Sequence, residues 1–195
     1  MNPLAPFSSN NYLLHMFDLG FSEISMEPVV SPKNTPYALT DKDLQKIKQQ
    51  YEILAKKILE LKKQGKTLNF YHLNLNLSDG PCLYKRLSGC GAGSEYLAVT
   101  PQGDLYPCHQ FVSDPEYCLG NVQEGIKNTK KQQQFKGCSV NERAECKACW
   151  AKLYCGGGCF ANSYHAEGDV GAVHNYSCEI FKKRLECAIM MQCEN

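Results

Sequence analysis

All twelve cysteines of this 195-residue chain lie in its last 114 residues, and none lies before Cys82. Thiols at about 10% of local composition are far denser than a core needs, and they mark a segment held by metal or by disulfides. The first 81 residues must fold without that help. Residues 1–10 show neither a basic nor an apolar signal region, and no apolar run approaches the ~18 residues of a membrane span. The expectation is therefore a cytoplasmic chain in a reducing environment, where dense thiols bind metal. Charge is even: 9 basic and 8 acidic residues up to position 81, then 12 and 12, for a net +1. No basic face follows from these totals, so neither nucleic acid nor a membrane is an expected partner.

The cysteine-free segment reads as alternating helix and strand. Asn10 or Asn11 can cap a short helix carrying Leu13, Leu14 and Phe17, closed by Gly20. Residues 21–30 predict a strand running into a proline-punctuated loop. Thr40 and Asp43 resemble a capping box, with Asp in place of the usual Glu. Behind them Leu44, Ile47, Tyr51, Leu54, Ile58 and Leu61 recur at alternating +3 and +4 steps, one apolar stripe on a helix ending near Gly65. Residues 68–77 predict a second strand, and the two strands can lie parallel.

Beyond position 80 the elements shorten and glycines multiply. Residues 96–99 and 105–106 flank Thr100-Pro101-Gln102-Gly103-Asp104, a hairpin signal. Residues 127–135 predict a polar helix, and 176–192 a helix with Ile180, Phe181, Leu185, Ala188 and Ile189 on its apolar face.

The densest cysteine run is Cys146, Cys149, Cys155 and Cys159, spaced C-x2-C-x5-C-x3-C. A C-x2-C turn aims two thiolates at one metal centre, and Gly156, Gly157 and Gly158 let the backbone fold closely around it. Upstream stand Cys90, Gly103 and Cys108, spaced C-x12-G-x4-C. Downstream, Cys178 follows Cys159 after eighteen residues. These thiols are too many for one zinc site, which takes four ligands; a pair of four-cysteine zinc sites is the alternative to iron–sulfur clusters.

The whole pattern resembles the SPASM motif, the auxiliary-cluster domain of radical S-adenosylmethionine enzymes that modify peptides. The resemblance implies two 4Fe-4S clusters. Cys146, Cys149, Cys155 and Cys178 would hold one. Cys90, Cys108 and Cys159 would hold the other, with Cys82 the candidate for its fourth position. Residues 87–101 (LSGCGAGSEYLAVTP), 106–112 (YPCHQFV) and 149–159 (CWAKLYCGGGC) are similar to the maturases of six-cysteines-in-forty-five peptides, which form thioether cross-links. Residues 18–21 (DLGF), 26–30 (MEPVV) and 36–39 (PYAL) resemble the late part of their barrel.

The fold class expected on this basis is α+β. Residues 1–80 would be a remnant of a parallel α/β partial barrel, and residues 81–195 a SPASM domain with a β-hairpin and a C-terminal helix. The partners implied are a cysteine-rich precursor peptide and the remaining barrel. The C-x3-C-x2-C motif that binds the catalytic cluster of these enzymes occurs nowhere in the sequence. S-adenosylmethionine and a third 4Fe-4S cluster are accordingly expected only in an intact enzyme, and the chain alone is expected to be inactive. Without a reaction centre it could also serve as a non-catalytic iron–sulfur module that binds a peptide or relays electrons.

His109 follows Cys108 directly, where sulfatase-maturing relatives carry an aspartate proton acceptor, and a histidine there could take a thiol proton. It could equally be a packed or hydrogen-bonding ring. Cys187 reads as a small buried hydrophobe. Glu27 and His72 carry no pattern that marks a site.

Overall fold

The structure, a computed structural model, describes residues 9–32, 34–75 and 87–194. Its contacts divide the chain into two units, Met1–Gly80 with Asn175–Asn195, and Pro81–His174. The C-terminal helix, grouped with the cysteine-rich segment in the sequence reading, packs in the first unit.

That unit contains α1 (Ser9–Asp18), β1 (Glu23–Ile24), α2 (Asp41–Lys63), β2 (Asn69–Phe70) and the C-terminal helix α7 (Asn175–Cys193). β1 and β2 pair in parallel, Glu23 opposite Asn69 and Ile24 opposite Phe70. Both strands are shorter than their hydrophobic runs, because a 3-10 turn at Tyr71–Leu73 ends the second one. Asn10 is not the cap of α1 but lies within it, and its Nδ2 donates to the Gln50 carbonyl at 3.2 Å.

α2 follows its sequence stripe closely. Ile47, Tyr51, Leu54, Ile58 and Leu61 are buried against Leu13, Leu68, Phe70, Leu73, Tyr176, Ile180 and Cys187. Each such buried aliphatic side chain contributes about 1.5–3 kcal/mol. The capping box forms: the Thr40 backbone N–H and hydroxyl both donate to Asp43 Oδ2, at 2.9 and 2.7 Å. Those two bonds hold the Asp43 carboxyl below its ordinary range. Lys48–Glu179 and Lys183–Glu52 ion pairs tie α2 to α7 at 2.6 and 2.9 Å.

Glu27 and His72 have structural partners in this unit. Arg184 Nη1 donates to both Glu27 oxygens at 3.1 Å, and Arg184 Nη2 lies 2.6 Å from His72 Nδ1. Nδ1 is also 2.7 Å from Glu27 Oε1. Nδ1 thus lies between a guanidinium, which can only donate, and a carboxylate, which can only accept, while Nε2 is 2.9 Å from Ser25 Oγ. Burial, reinforced by the Arg184 charge and opposed by Glu27, pushes the His72 pKa down.

The second unit is built on a four-stranded antiparallel meander, β3 (Ala98–Val99), β4 (Asp104–Tyr106), β5 (Gly120–Asn121) and β6 (Gly125–Ile126), in that spatial order. The expected hairpin is β3–β4, with Ala98 opposite Tyr106 and Val99 opposite Leu105. Gly103 turns it at φ +88°, and a Cβ there would meet Val122 Cγ2 at 2.9 Å. The glycine of the C-x12-G-x4-C pattern is thus needed twice over, for a left-handed turn and for room beside β5. Four helices follow: α3 (Thr129–Lys136), α4 (Ala144–Lys147), α5 (Lys152–Cys155) and α6 (Phe160–Glu167). Their core is aromatic. Phe111 stacks within 4.4 Å of Tyr117, 5.5 Å of Phe135 and 5.7 Å of Tyr164, and Phe135 meets Phe160 edge-on at 5.4 Å.

Candidate metal centres

Two groups of thiols assemble in the second unit. In the first, Cys90 stands on an exposed turn before β3, Cys108 is buried just after β4, and Cys159 precedes α6. The charges of Cys90, Cys108 and Cys159 all act on the Tyr96 phenol, whose oxygen lies 3.9 Å from Cys90 Sγ. Burial and then those thiolates push the Tyr96 pKa well above its ordinary value. Cys108 is raised by burial and by Cys159 and Cys90, and lowered by the nearby backbone N–H groups of Gln110 and Phe111; the Phe111 N–H itself donates to the Cys108 carbonyl at 3.1 Å.

The second group is Cys146 on α4, Cys149 just beyond it and Cys155 at the end of α5. Cys155 is raised by burial and by the charges of Cys146 and Cys149, and its thiolate is favoured by the N–H groups of Gly157 and Gly158. Cys146 is raised by burial and by Cys149, against the Arg143 charge, which lowers it. In each group burial and the charge of its neighbours raise one thiol, Cys108 or Cys155, and backbone N–H groups lower it. A bound cation offsets the charge of neighbouring thiolates.

The glycine run brings these loops together. Gly156, Gly157 and Gly158 have φ of +68°, +96° and +81°, a succession of left-handed residues that side chains with Cβ resist. The turn before Cys90 lies directly on this run: a Cβ on Gly89 would sit 3.1 Å from the Gly158 carbonyl oxygen and 3.2 Å from that of Gly156. Cys90 and Cys159 become neighbours through that close approach.

The remaining candidates are placed as follows. Cys178 lies in the first turn of α7, in the first unit. Cys82 lies outside the described residues. His109 is exposed on a 3-10 turn, with Gln110 Nε2 3.0 Å from its own Nε2. With the Gln110 amide donating, Nε2 is the acceptor and Nδ1 carries the proton. With the amide turned over, Nε2–H donates and Nδ1 is free to accept. Cys138 donates to the Gln134 carbonyl at 3.1 Å, and Cys187 is core, its thiol pushed up to about 11 by burial. Among the described residues no three His, Cys, Asp or Glu side chains converge on a single-ion site.

The sequence reading did not single out Arg143, which is buried beside Cys146. The signal available was its position three residues before the first cysteine of the dense run.

A thiol-only donor set in two groups suits iron–sulfur clusters or four-cysteine zinc sites. Residues 90–150 match the SPASM family, an iron–sulfur cluster-binding domain. Three solved structures of anSMEcpe, an anaerobic sulfatase-maturating radical S-adenosylmethionine/SPASM enzyme, share the fold. The one with bound AdoMet aligns with a TM-score of 0.66, and those with AdoMet and the Cp18Cys or Kp18Cys peptide with 0.66 and 0.64. Identity is 22% in each, and the alignments cover 94% of this chain and 52% of the solved ones. The chain thus spans about half the length of the structures it matches, and it shares their α+β fold. No curated protein matches it significantly. No helix among the described residues is long and apolar enough to cross a membrane.

Proposed function

We propose that the chain carries two auxiliary 4Fe-4S clusters for a cytoplasmic radical S-adenosylmethionine enzyme that joins cysteine sulfur to carbon in a ribosomally made, cysteine-rich peptide. The observation that carries the two-cluster reading is the gathering of Cys90, Cys108 and Cys159 in one place and of Cys146, Cys149 and Cys155 in another. Each triad couples soft thiolate donors to backbone N–H groups, the environment an anionic iron–sulfur cluster needs. Cys178 and Cys82 are assigned by the sequence motif alone, and Cys→Ser exchange at each reads its ligation.

A bound cluster supplies an electron acceptor and an iron that favours the thiolate form of a substrate cysteine. The chain's own residues supply the setting. The β3–β4 hairpin and the Gly89–Gly158 approach hold the first triad. The Tyr96 hydroxyl stays protonated beside those thiolates and can donate to sulfur. His109, exposed one residue beyond Cys108, takes the substrate thiol's proton at Nδ1 when Gln110 accepts from Nε2. A thioether product and a peptide substrate are supported by the likeness of residues 87–101, 106–112 and 149–159 to maturases of that kind. The second partner is further barrel structure. Parallel sheets are ordinarily covered on both faces, whereas β1–β2 is two strands wide and Leu19, Phe21 and Tyr71 beside it are exposed.

Anaerobic reconstitution followed by iron, sulfide and zinc analysis tests the reading. About eight irons and eight sulfides per chain are expected, four of each per cubane. Cys108→Ser and Cys149→Ser should each remove about half. Two zinc ions with no sulfide would overturn it.

A further inference from the structure

Arg143 is the only charged residue among those described that is buried, at 7% exposure. Its Nη1 donates to the Gly157 carbonyl at 2.7 Å and its Nη2 to the Val170 carbonyl at 3.3 Å. The guanidinium carbon sits 5.8 Å from the Phe160 ring centroid, and Nε is buried without a hydrogen-bond partner. No described carboxylate forms an ion pair with it. Two carbonyls orient a cation but do not neutralise it, and a buried charge with no counter-charge is costly enough that proteins rarely keep one. Against burial, Cys149 and Glu145, which raise the pKa of the Cys146 thiol, the Arg143 charge acts to lower it.

We propose that Arg143 is the built-in counter-charge of the cluster held by Cys146, Cys149 and Cys155, raising that cluster's reduction potential while clamping the glycine loop between Cys155 and Cys159. The inference rests on the two-cluster reading and assigns a tuning role to one residue of the site. Arginine suits both tasks. It stays charged at any working pH, and its planar fork binds Gly157 and Val170 at once. Gly157 takes φ +96°, a conformation that side chains with Cβ resist, so glycine shapes the loop this clamp holds. An electron added beside a fixed positive charge in a low-dielectric place is stabilised, so the midpoint potential rises with Arg143 present and falls without it.

The test is an EPR-monitored redox titration of the full chain after anaerobic reconstitution. The signal of this cluster is identified by its loss in Cys149→Ser. Arg143→Met removes the charge and keeps the apolar stem; Arg143→Lys keeps the charge and loses the fork. The Met chain should shift the reduction equilibrium of that signal downward by at least about tenfold, which is 59 mV for a one-electron couple. The Lys chain should stay near the wild-type midpoint. Loss of that cluster from the Met chain while the Lys chain keeps it at the wild-type midpoint would likewise identify charge as the requirement. A Met chain with full iron and sulfide and an unmoved midpoint would overturn the inference, as would a Lys chain that falls as far as the Met chain. Cluster content of the wild-type chain separates the two failures: without iron and sulfide there, the functional reading itself falls.

Discussion

Truncating Phe111 to alanine should open the second unit from the inside. The ring is 1% exposed and packs against Tyr117, Phe135 and Tyr164 at 4.4 to 5.7 Å. A Phe→Ala change in such a place costs about 3–5 kcal/mol, counting both the lost transfer free energy and the cavity left behind. At about 1.4 kcal/mol per tenfold, the open population rises by roughly two to three and a half orders of magnitude. Cys138 reports it. Its thiol is buried at the end of the α3 region, bonded to the Gln134 carbonyl and three residues from Phe135. In the cluster-free, reduced chain, pulsed thiol labelling read by mass spectrometry should therefore accelerate at Cys138 by that factor, or reach the unfolded rate if the unit melts. An acceleration below about tenfold would refute the view that this aromatic cluster is the unit's core. The same variant should lose iron from the Cys90, Cys108 and Cys159 group, because Phe111 ends the 3-10 turn capped by Cys108 and its N–H donates to the Cys108 carbonyl at 3.1 Å.

Gly157→Ala places a Cβ on a backbone at φ +96°, a strain of about 1–2 kcal/mol; reconstituted chain should hold less iron and sulfide than wild type at equal protein. Asp43→Ala should cost about 0.5–2 kcal/mol of first-unit stability in denaturant melts at neutral pH. Because the folded carboxyl is held below its ordinary range, this contribution is complete above about pH 4 and vanishes as pH falls through the lowered folded value, so mutant and wild-type melts should converge in acid. His72 gives the same sign in a higher pH window. Its folded pKa lies below the unfolded value of about 6.5, so between the two the unfolded chain binds the extra proton and stability falls as pH falls. His72→Gln should remove that component from melts recorded between pH 7 and pH 5.

Much of the first unit was legible because its information is local. The stripe of α2, the Thr40–Asp43 box and the closing Gly20 are periodicities and neighbours that the chain alone enforces. Strand lengths were not legible. The alternation from residue 73 extends an apparent strand to 77, of which 76 and 77 lie outside the described residues; pairing with β1 covers Asn69 and Phe70, and a 3-10 turn follows at Tyr71–Leu73. The β5–β6 pairing was missed as well, since Gly120 and Gly125 carry no strand propensity. They pair because Gly120, at φ +148°, brings its backbone too close to the Gly125 carbonyl for any Cβ.

The division is the same at the candidate site. Spacing in the sequence by itself marked the candidate ligand cysteines, because a C-x2-C turn is a local geometry. The tertiary structure decided how thiols distant in sequence are grouped within the second unit, through the contact of Gly89 with the Gly156–Gly158 run. It also decided that Cys187 is core and that Arg143 is buried without an acid. Burial and long-range approach are set by how elements pack, and no spacing rule contains them.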